Sequence, residues 1–199
     1  MKAFIVVDVQ NDFCPDGALA VKHGDEVVPF VNRTRQAFPL TVFTQDWHPQ
    51  GHSSFASNNA GAKVGEVIKQ GGIDQTMWPD HCVQNTRGAE FHADLAVLPA
   101  DPVFRKGELP QIDSYSGFLD NDRQHETGLR HYLEEQGVDE VYVAGLATDF
   151  CVKFTVLDAL KFGLKAFVYR QGCRAVNLHP DDEAKAYREM AAAGATVIG

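Results

Sequence analysis

The chain has 199 residues, of which 44% are hydrophobic, 23% charged and 10% aromatic. This composition fits one globular domain, residues 1–199, and excludes a disordered or collagen-like chain. The 18 Lys and Arg against 27 Asp and Glu give a formal charge of −9, so we expect no binding to nucleic acid or to anionic membranes.

Apolar runs that predict strands alternate along the chain with longer stretches that predict helices. The predicted strands cover 3–7, 40–44, 102–105, 140–144, 165–169 and 195–198, and the predicted helices cover 25–38, 126–136, 148–162 and 180–193. This order predicts an α/β fold in three layers, α/β/α, around a mostly parallel central sheet. Residues 49–93 are rich in Gly, Ser, Asn, His and Pro and predict a long loop-rich excursion, with a turn at Gly71-Gly72.

No stretch is apolar for long enough to predict a signal peptide or a membrane span, because the first apolar run already ends at Asp8. The four cysteines are widely scattered and form no CxxC pair. That usage is typical of free thiols in a reducing compartment. We therefore expect a cytoplasmic protein.

Polar side chains follow four of the predicted strands at the point where each strand ends. Asp8 follows the first strand, Asp46 and His48 the second, and Lys106 the third, and the fourth leads into a turn that ends at Cys151. In open parallel sheets, ligands bind outside the carboxyl ends of the strands. The sequence therefore predicts a reactive site at this edge.

Cys151 is the candidate nucleophile. With Thr148 as N-cap, Cys151 falls in the first turn of the predicted helix 148–162, where the helix dipole favours a thiolate. The turn before it, 145–147, could direct amide groups at an oxyanion. A buried structural cysteine is an equally good interpretation of the position. Asp8 fits a general base or a turn cap, and Lys106 fits a partner of Asp8 or a solvated lysine.

Asp46 and His48 form the core of a candidate metal site. At positions i and i+2 of an extended segment their side chains point the same way and can bind one cation. His52 and His81 are further candidates from the excursion. A carboxylate with imidazoles suits a divalent transition metal, zinc first and iron or manganese otherwise. A single Asp-x-His is a weak signal, because such short matches arise by chance.

Six segments of the sequence resemble the nicotinamidase/pyrazinamidase branch of the isochorismatase-like cysteine hydrolases. They occur in that family's order and span the chain from residue 3 to the last strand. The matching segments are 6–13 (VVDVQNDF), 44–56 (TQDWHPQGHSSFA), 78–82 (WPDHC), 106–107 (KG), 113–118 (DSYSGF) and 145–152 (GLATDFCV).

The resemblance implies a role for each matching residue. It implies a catalytic triad of Asp8, Lys106 and Cys151, and an oxyanion hole formed by the amides of Ala147 and Cys151. It implies metal ligands Asp46, His48 and His81, with His52 as an additional candidate. It also implies aromatic substrate walls at Phe13 and Trp78 and a cis peptide bond between Leu146 and Ala147.

The activity implied is metal-dependent hydrolysis of nicotinamide, and of pyrazinamide, to the acid and ammonia through a thioester. Two alternatives stay open: a related amidohydrolase acting on a ureido or carbamoyl compound, and a non-catalytic metal-binding protein on the same fold. The first commonly lacks the metal motif, and the second is disfavoured by an intact Asp8, Lys106 and Cys151. The resemblance also leaves room for a homo-oligomer.

Overall fold

The computed structural model describes all 199 residues, and a six-stranded sheet forms its centre. Its strands are β1 (Lys2–Val7), β2 (Leu40–Asp46), β5 (Val103–Lys106), β6 (Glu140–Leu146), β7 (Lys165–Arg174) and β8 (Thr196–Ile198), while β3 (Val67–Gln70) and β4 (Ile73–Thr76) form a separate hairpin. The six strands stand in the order β5-β2-β1-β6-β7-β8, and every neighbouring pair is parallel. The predicted α/β architecture is confirmed.

Helices cover both faces of this sheet. Tyr169 of β7 packs against Phe30 at a ring distance of 5.4 Å, whereas the next residue, Arg170, lies 4.3 Å over the ring of Tyr187. Successive strand residues point to opposite faces, so the helices that carry Phe30 and Tyr187 lie on opposite sides. The helices are α1 (Val27–Thr34), α2 (Leu129–Glu135), α3 (Lys153–Lys161) and α4 (Asp182–Ala192). No helix combines the length and the apolar character that a membrane crossing requires.

The strand register places the predicted chemical groups at one level. The apolar run of β1 is fully buried, as expected of a central parallel strand. Val7 pairs with Thr44 on one side and with Gly145 on the other, and Asp46 pairs with Lys106. The residues that follow these positions therefore leave the sheet together at its carboxyl edge.

The helix predicted over 148–162 is present but starts differently. Residues Thr148–Val152 form a π-helical turn, and regular α-helix begins only at Lys153. The apolar residues that are fully buried are Val152, Val156 and Ala159. The four residues of the predicted apolar face are only partly buried: Phe150, Phe154, Leu157 and Leu160. Wider turns of this kind are frequent at functional sites.

The predicted loop-rich excursion contains a β-hairpin. Strands β3 (Val67–Gln70) and β4 (Ile73–Thr76) pair antiparallel around the predicted turn at Gly71-Gly72. Both glycines have positive φ, +55° and +87°, which is the geometry of a tight two-residue hairpin turn. The hairpin forms a separate two-stranded sheet beside the main one.

Candidate active site

Lys106 lies at the centre of the buried group at the sheet edge. Its Nζ is 2.9 Å from Asp8 Oδ2, 3.4 Å from Cys151 Sγ and 2.9 Å from the Ser114 carbonyl, and it also contacts Asp46 Oδ1. Burial by itself lowers the pKa of this lysine, but the Asp46 and Asp8 carboxylates outweigh burial and raise that pKa well above its ordinary value. The structure thus brings the three predicted triad residues together around a permanent positive charge.

Asp8 presents one free oxygen to this group. The residue directly follows β1 with a left-handed φ of +47°, and its side chain is fully buried. Thr44 donates a hydrogen bond to Oδ1 at 2.6 Å, while Oδ2 has no donor aligned on it although Lys106 Nζ is near. Burial raises the pKa of Asp8, and Lys106 opposes that rise. Oδ2 is therefore the oxygen that can accept a proton.

Cys151 lies within the π turn, 5% exposed, with its sulfur close to the Asp8 and Asp46 carboxylates. The expected lowering of its thiol pKa by the helix N-terminus is wrong. Burial raises that pKa well above its ordinary value, and the two carboxylates add to the rise against the effect of Lys106. Cys151 therefore rests as a thiol and needs a base to become a nucleophile.

Asp46, His48 and His81 face one another beside the triad. Asp46 Oδ2 lies 3.6 Å from His48 Nε2 and 3.9 Å from His81 Nε2. His48 Nδ1 donates to the Gly107 carbonyl at 2.9 Å, and His81 Nδ1 donates to the Pro79 carbonyl at 2.8 Å. Because a carbonyl only accepts, Nδ1 carries the proton in each neutral ring, and the lone pair then lies on Nε2, which faces the Asp46 carboxylate. This donor set fits a divalent transition metal.

The protonation of these three groups also fits a metal ligand set. Burial raises the pKa of Asp46, but Lys106 and His48 outweigh burial and hold that pKa well below its ordinary value. Burial and the neighbouring His48 lower the pKa of His81 to about 4. Burial lowers the pKa of His48, but the Asp46 carboxylate outweighs burial and raises that pKa above its ordinary value. A metal ion therefore competes with a proton at the His48 ring.

His52 is held differently from the other two histidines. The Ser54 amide donates to His52 Nδ1 at 3.3 Å, so Nδ1 carries the lone pair and Nε2 donates to the Ile112 carbonyl at 3.2 Å. Its ring lies 4.3 Å from that of His48, and it groups with His48 and Asp113 rather than with Asp46 and His81. In this arrangement its lone pair faces Ser54, and its ring supports that of His48.

A pocket lined mainly by aromatic and aliphatic side chains opens above the reactive group. Phe13 and Trp78, the two predicted walls, both line it, and Cys151 and His81 reach into it. Ala147, one of the two predicted oxyanion residues, also lines it, and the peptide bond before it is cis as the resemblance implies. The walls not predicted from the sequence are Leu19, Asp113, Tyr115, Phe150 and Val176.

Gln75 of the hairpin ties these walls to one another. Its Nε2 donates to Asp113 Oδ2 at 2.8 Å and to the Tyr115 hydroxyl at 3.2 Å, and Trp78 Nε1 donates to the same hydroxyl at 3.2 Å. Sequence reasoning assigned no role to these polar partners. The only signal was that Asp113 and Tyr115 belong to the matching segment 113–118.

The fold is that of an α/β protein, and the site has the residues of a cysteine hydrolase. A buried Cys-Asp-Lys group lies beside a candidate metal centre. The chain belongs to the isochorismatase family, because the sequence model of the isochorismatase domain family matches residues 2–199.

Individual relatives agree with this assignment. The nicotinamidase of Escherichia coli strain K12 is 49% identical over 200 residues, which cover 98% of this chain and 93% of that protein. A solved nicotinamidase/pyrazinamidase of Acinetobacter baumannii is 45% identical with a TM-score of 0.96, covering 99% of this chain and 95% of the other. The pyrazinamidase of Pyrococcus horikoshii, solved in complex with zinc, is 37% identical with a TM-score of 0.82, covering 99% and 98%.

Proposed function

We propose that the protein is a metal-dependent nicotinamidase that hydrolyses nicotinamide, and pyrazinamide, to the corresponding acid and ammonia. The observation that carries this proposal is the position of Lys106. Its ammonium group contacts Asp8 and Cys151 of the triad and also Asp46 of the metal group, and an aromatic pocket opens directly above them. A flat heteroaromatic amide matches such a pocket, since its ring packs between aromatic walls.

The first step makes the nucleophile and joins it to the substrate. Asp8 Oδ2 takes the proton of the Cys151 thiol, and the sulfur forms a bond to the amide carbon. The amides of Ala147 and Cys151 donate to the resulting oxyanion, a contact worth about 3 kcal/mol when one donor is removed. Lys106 holds Asp8 and the sulfur at hydrogen-bonding distance and balances the negative charge that develops between them.

The second step releases ammonia and then the acid. Asp8 returns its proton to the amide nitrogen, the carbon–nitrogen bond breaks, and a thioester on Cys151 remains. Asp8 then takes a proton from water as the water oxygen attacks the thioester carbon. The carbon–sulfur bond breaks, Asp8 returns its proton to the Cys151 sulfur, and the acid leaves. Each proton taken is returned, so one residue with a raised pKa acts as base and acid in turn.

Asp46, His48 and His81 would hold the metal ion, with zinc as our assignment. Bound there, a divalent cation supplies a Lewis acid for the ring nitrogen of the substrate. The Nε2 atoms of His48 and His81, which face Asp46 while each Nδ1 donates to a carbonyl, and the ionised Asp46 support this ligand set. The ring walls at Phe13 and Trp78 then orient the carboxamide toward Cys151.

The test is ammonia release from nicotinamide by the wild-type protein, before chelation, after chelation and after zinc is restored. We expect release that chelation abolishes and zinc restores, and none from Cys151→Ala. Cys173→Ala is the matched control, because Cys173 is equally buried but lies outside the pocket. No release from the zinc-loaded wild type would refute the proposal, and a panel of ureido and carbamoyl compounds would then be tested.

A further inference from the structure

Asp12 lies outside the triad and the metal group, in the 3-10 turn Asn11–Phe13, and its carboxylate bridges two loops. Oδ1 accepts a hydrogen bond from the Ala18 amide at 3.1 Å, and Oδ2 accepts one from the Cys82 amide at 2.7 Å. The Asp12 carbonyl also accepts from the Leu19 amide at 3.0 Å. One residue thus connects the loop that carries a pocket wall to the residue that follows His81.

The backbone of Cys82 links Asp12 to the metal group. Cys82 has a left-handed φ of +46°, which residues other than glycine adopt rarely and keep only with support from their surroundings. That support comes from both sides: Asp12 accepts from its amide, and its carbonyl accepts from the His48 amide at 3.0 Å. Because His81 directly precedes Cys82, the same short segment sets the separation of His48 and His81.

The segment that contains Gly88 also packs against the carboxylate of Asp12. A Cβ added to Gly88 would lie 2.5 Å from Asp12 Oδ1 and closer still to Oδ2, so only glycine at this position leaves room for the carboxylate. Phe13, the neighbour of Asp12, packs its ring 5.6 Å from that of His81. The turn that carries Asp12 therefore contacts the His81 segment a second time, inside the pocket, where an aromatic wall packs on a candidate metal ligand.

We propose that Asp12 is a positioning residue that aligns the metal ligands with the aromatic pocket. Through Cys82 its carboxylate fixes His81 relative to His48, and through Ala18 it holds the loop that carries Leu19 in place beside the pocket. This inference rests on the proposed nicotinamidase function and its metal site. Asp12 bonds to Ala18, Leu19 and Cys82 rather than to the triad, so its loss should weaken zinc binding and raise KM while the chemistry of Cys151 persists.

The experiment compares Asp12→Asn with the wild type and with Asp16→Asn as matched control. Asparagine keeps the shape of Asp12 but offers one acceptor oxygen for two amides, whereas Asp16 is exposed in the same loop and accepts no hydrogen bond. Zinc affinity is measured by chelator competition, kcat and KM from ammonia release, and Cys151 reactivity from iodoacetamide alkylation of the metal-free protein. For Asp12→Asn we expect at least a tenfold weaker zinc affinity and a severalfold higher KM, with kcat at saturating zinc and the alkylation rate within about threefold of wild type.

A second variant keeps the test decisive if Asp12→Asn does not fold. Gly88→Ala retains the carboxylate but displaces it, and we expect the same weakening of zinc affinity and the same rise in KM. Zinc affinity and KM equal to the wild type in a folded Asp12 or Gly88 variant would overturn the positioning role. A wild-type protein that binds no zinc and releases no ammonia would instead refute the proposed function, so the two failures are distinguishable.

Discussion

Replacing Gly107 by alanine tests how tightly the fold holds a metal-facing histidine. Gly107 follows Lys106 at the end of β5 with a φ of +65°, and its carbonyl accepts the hydrogen bond of His48 Nδ1 at 2.9 Å. An added Cβ would lie 2.5 Å from Nδ1 and closer still to Cε1, whereas ordinary contact begins at 3.4 Å, so the imidazole must move by at least about 0.9 Å. A shift of that size displaces Nε2 from Asp46 and His81.

Gly137→Ala separates this displacement from the cost of the backbone conformation. Gly137 has the same φ of +65°, and nothing lies within 4 Å of a Cβ added there. In both variants an alanine must adopt a left-handed backbone conformation, which lowers the free energy of unfolding by about 1 kcal/mol. Unfolding of the metal-free proteins measures this loss. Only Gly107→Ala should also lose zinc affinity, by about 10- to 100-fold or roughly 1.4 to 2.7 kcal/mol in a chelator competition. Equal zinc affinities of the two variants would refute the reasoning.

Three further predictions concern the nucleophile, a buried thiol and a loop anchor. Cys151→Ala should release no ammonia yet bind as much zinc as the wild type by atomic absorption; loss of zinc would mean that the two sites are not separate. Burial raises the pKa of Cys173 to about 12, so above pH 9 the unfolded chain loses a proton that the folded chain keeps, and stability falls as pH rises. Between pH 9 and 10 the wild type should lose about 1 kcal/mol more than Cys173→Ala in urea unfolding, and equal losses would contradict the shift. Asp149 accepts from the amides of Val176 and Asn177 at 3.0 and 2.8 Å, and Val176 lines the pocket, so Asp149→Ala should destabilise the protein by about 2 kcal/mol and raise KM. An unchanged KM would show that this anchor does not reach the pocket.

The strand-end residues could be predicted because their positions follow from short-range patterns. Continuous apolar runs mark buried parallel strands, and a polar residue directly after such a run lies at the carboxyl edge whatever the details of packing. Asp8, Asp46 and Lys106 were found this way. The burial of Lys106 was not predictable, because a lysine becomes buried only when carboxylates from other strands compensate its charge.

The hairpin and the secondary walls could not be predicted for a different reason. Strands β3 and β4 are short and carry polar residues such as Lys69 and Asp74, so they lack the alternation that identifies a half-buried strand. The role of Gln75 depends on Asp113 and Tyr115, which reach it only in the folded chain. The π turn at Thr148–Val152 likewise leaves no trace in apolar spacing, since it changes hydrogen bonding rather than composition.

The pocket draws its reactive groups and its walls from different parts of the fold. Asp8, Asp46 and Lys106 lie on or directly after strands of the main sheet, whereas walls such as Leu19 and Val176 lie on connecting loops. Loops accept substitution and changes of length far more readily than paired central strands do. Selection can therefore change which amide enters the pocket while the reaction centre stays constant, and an engineer who seeks a new substrate range should vary these loops and leave the sheet untouched.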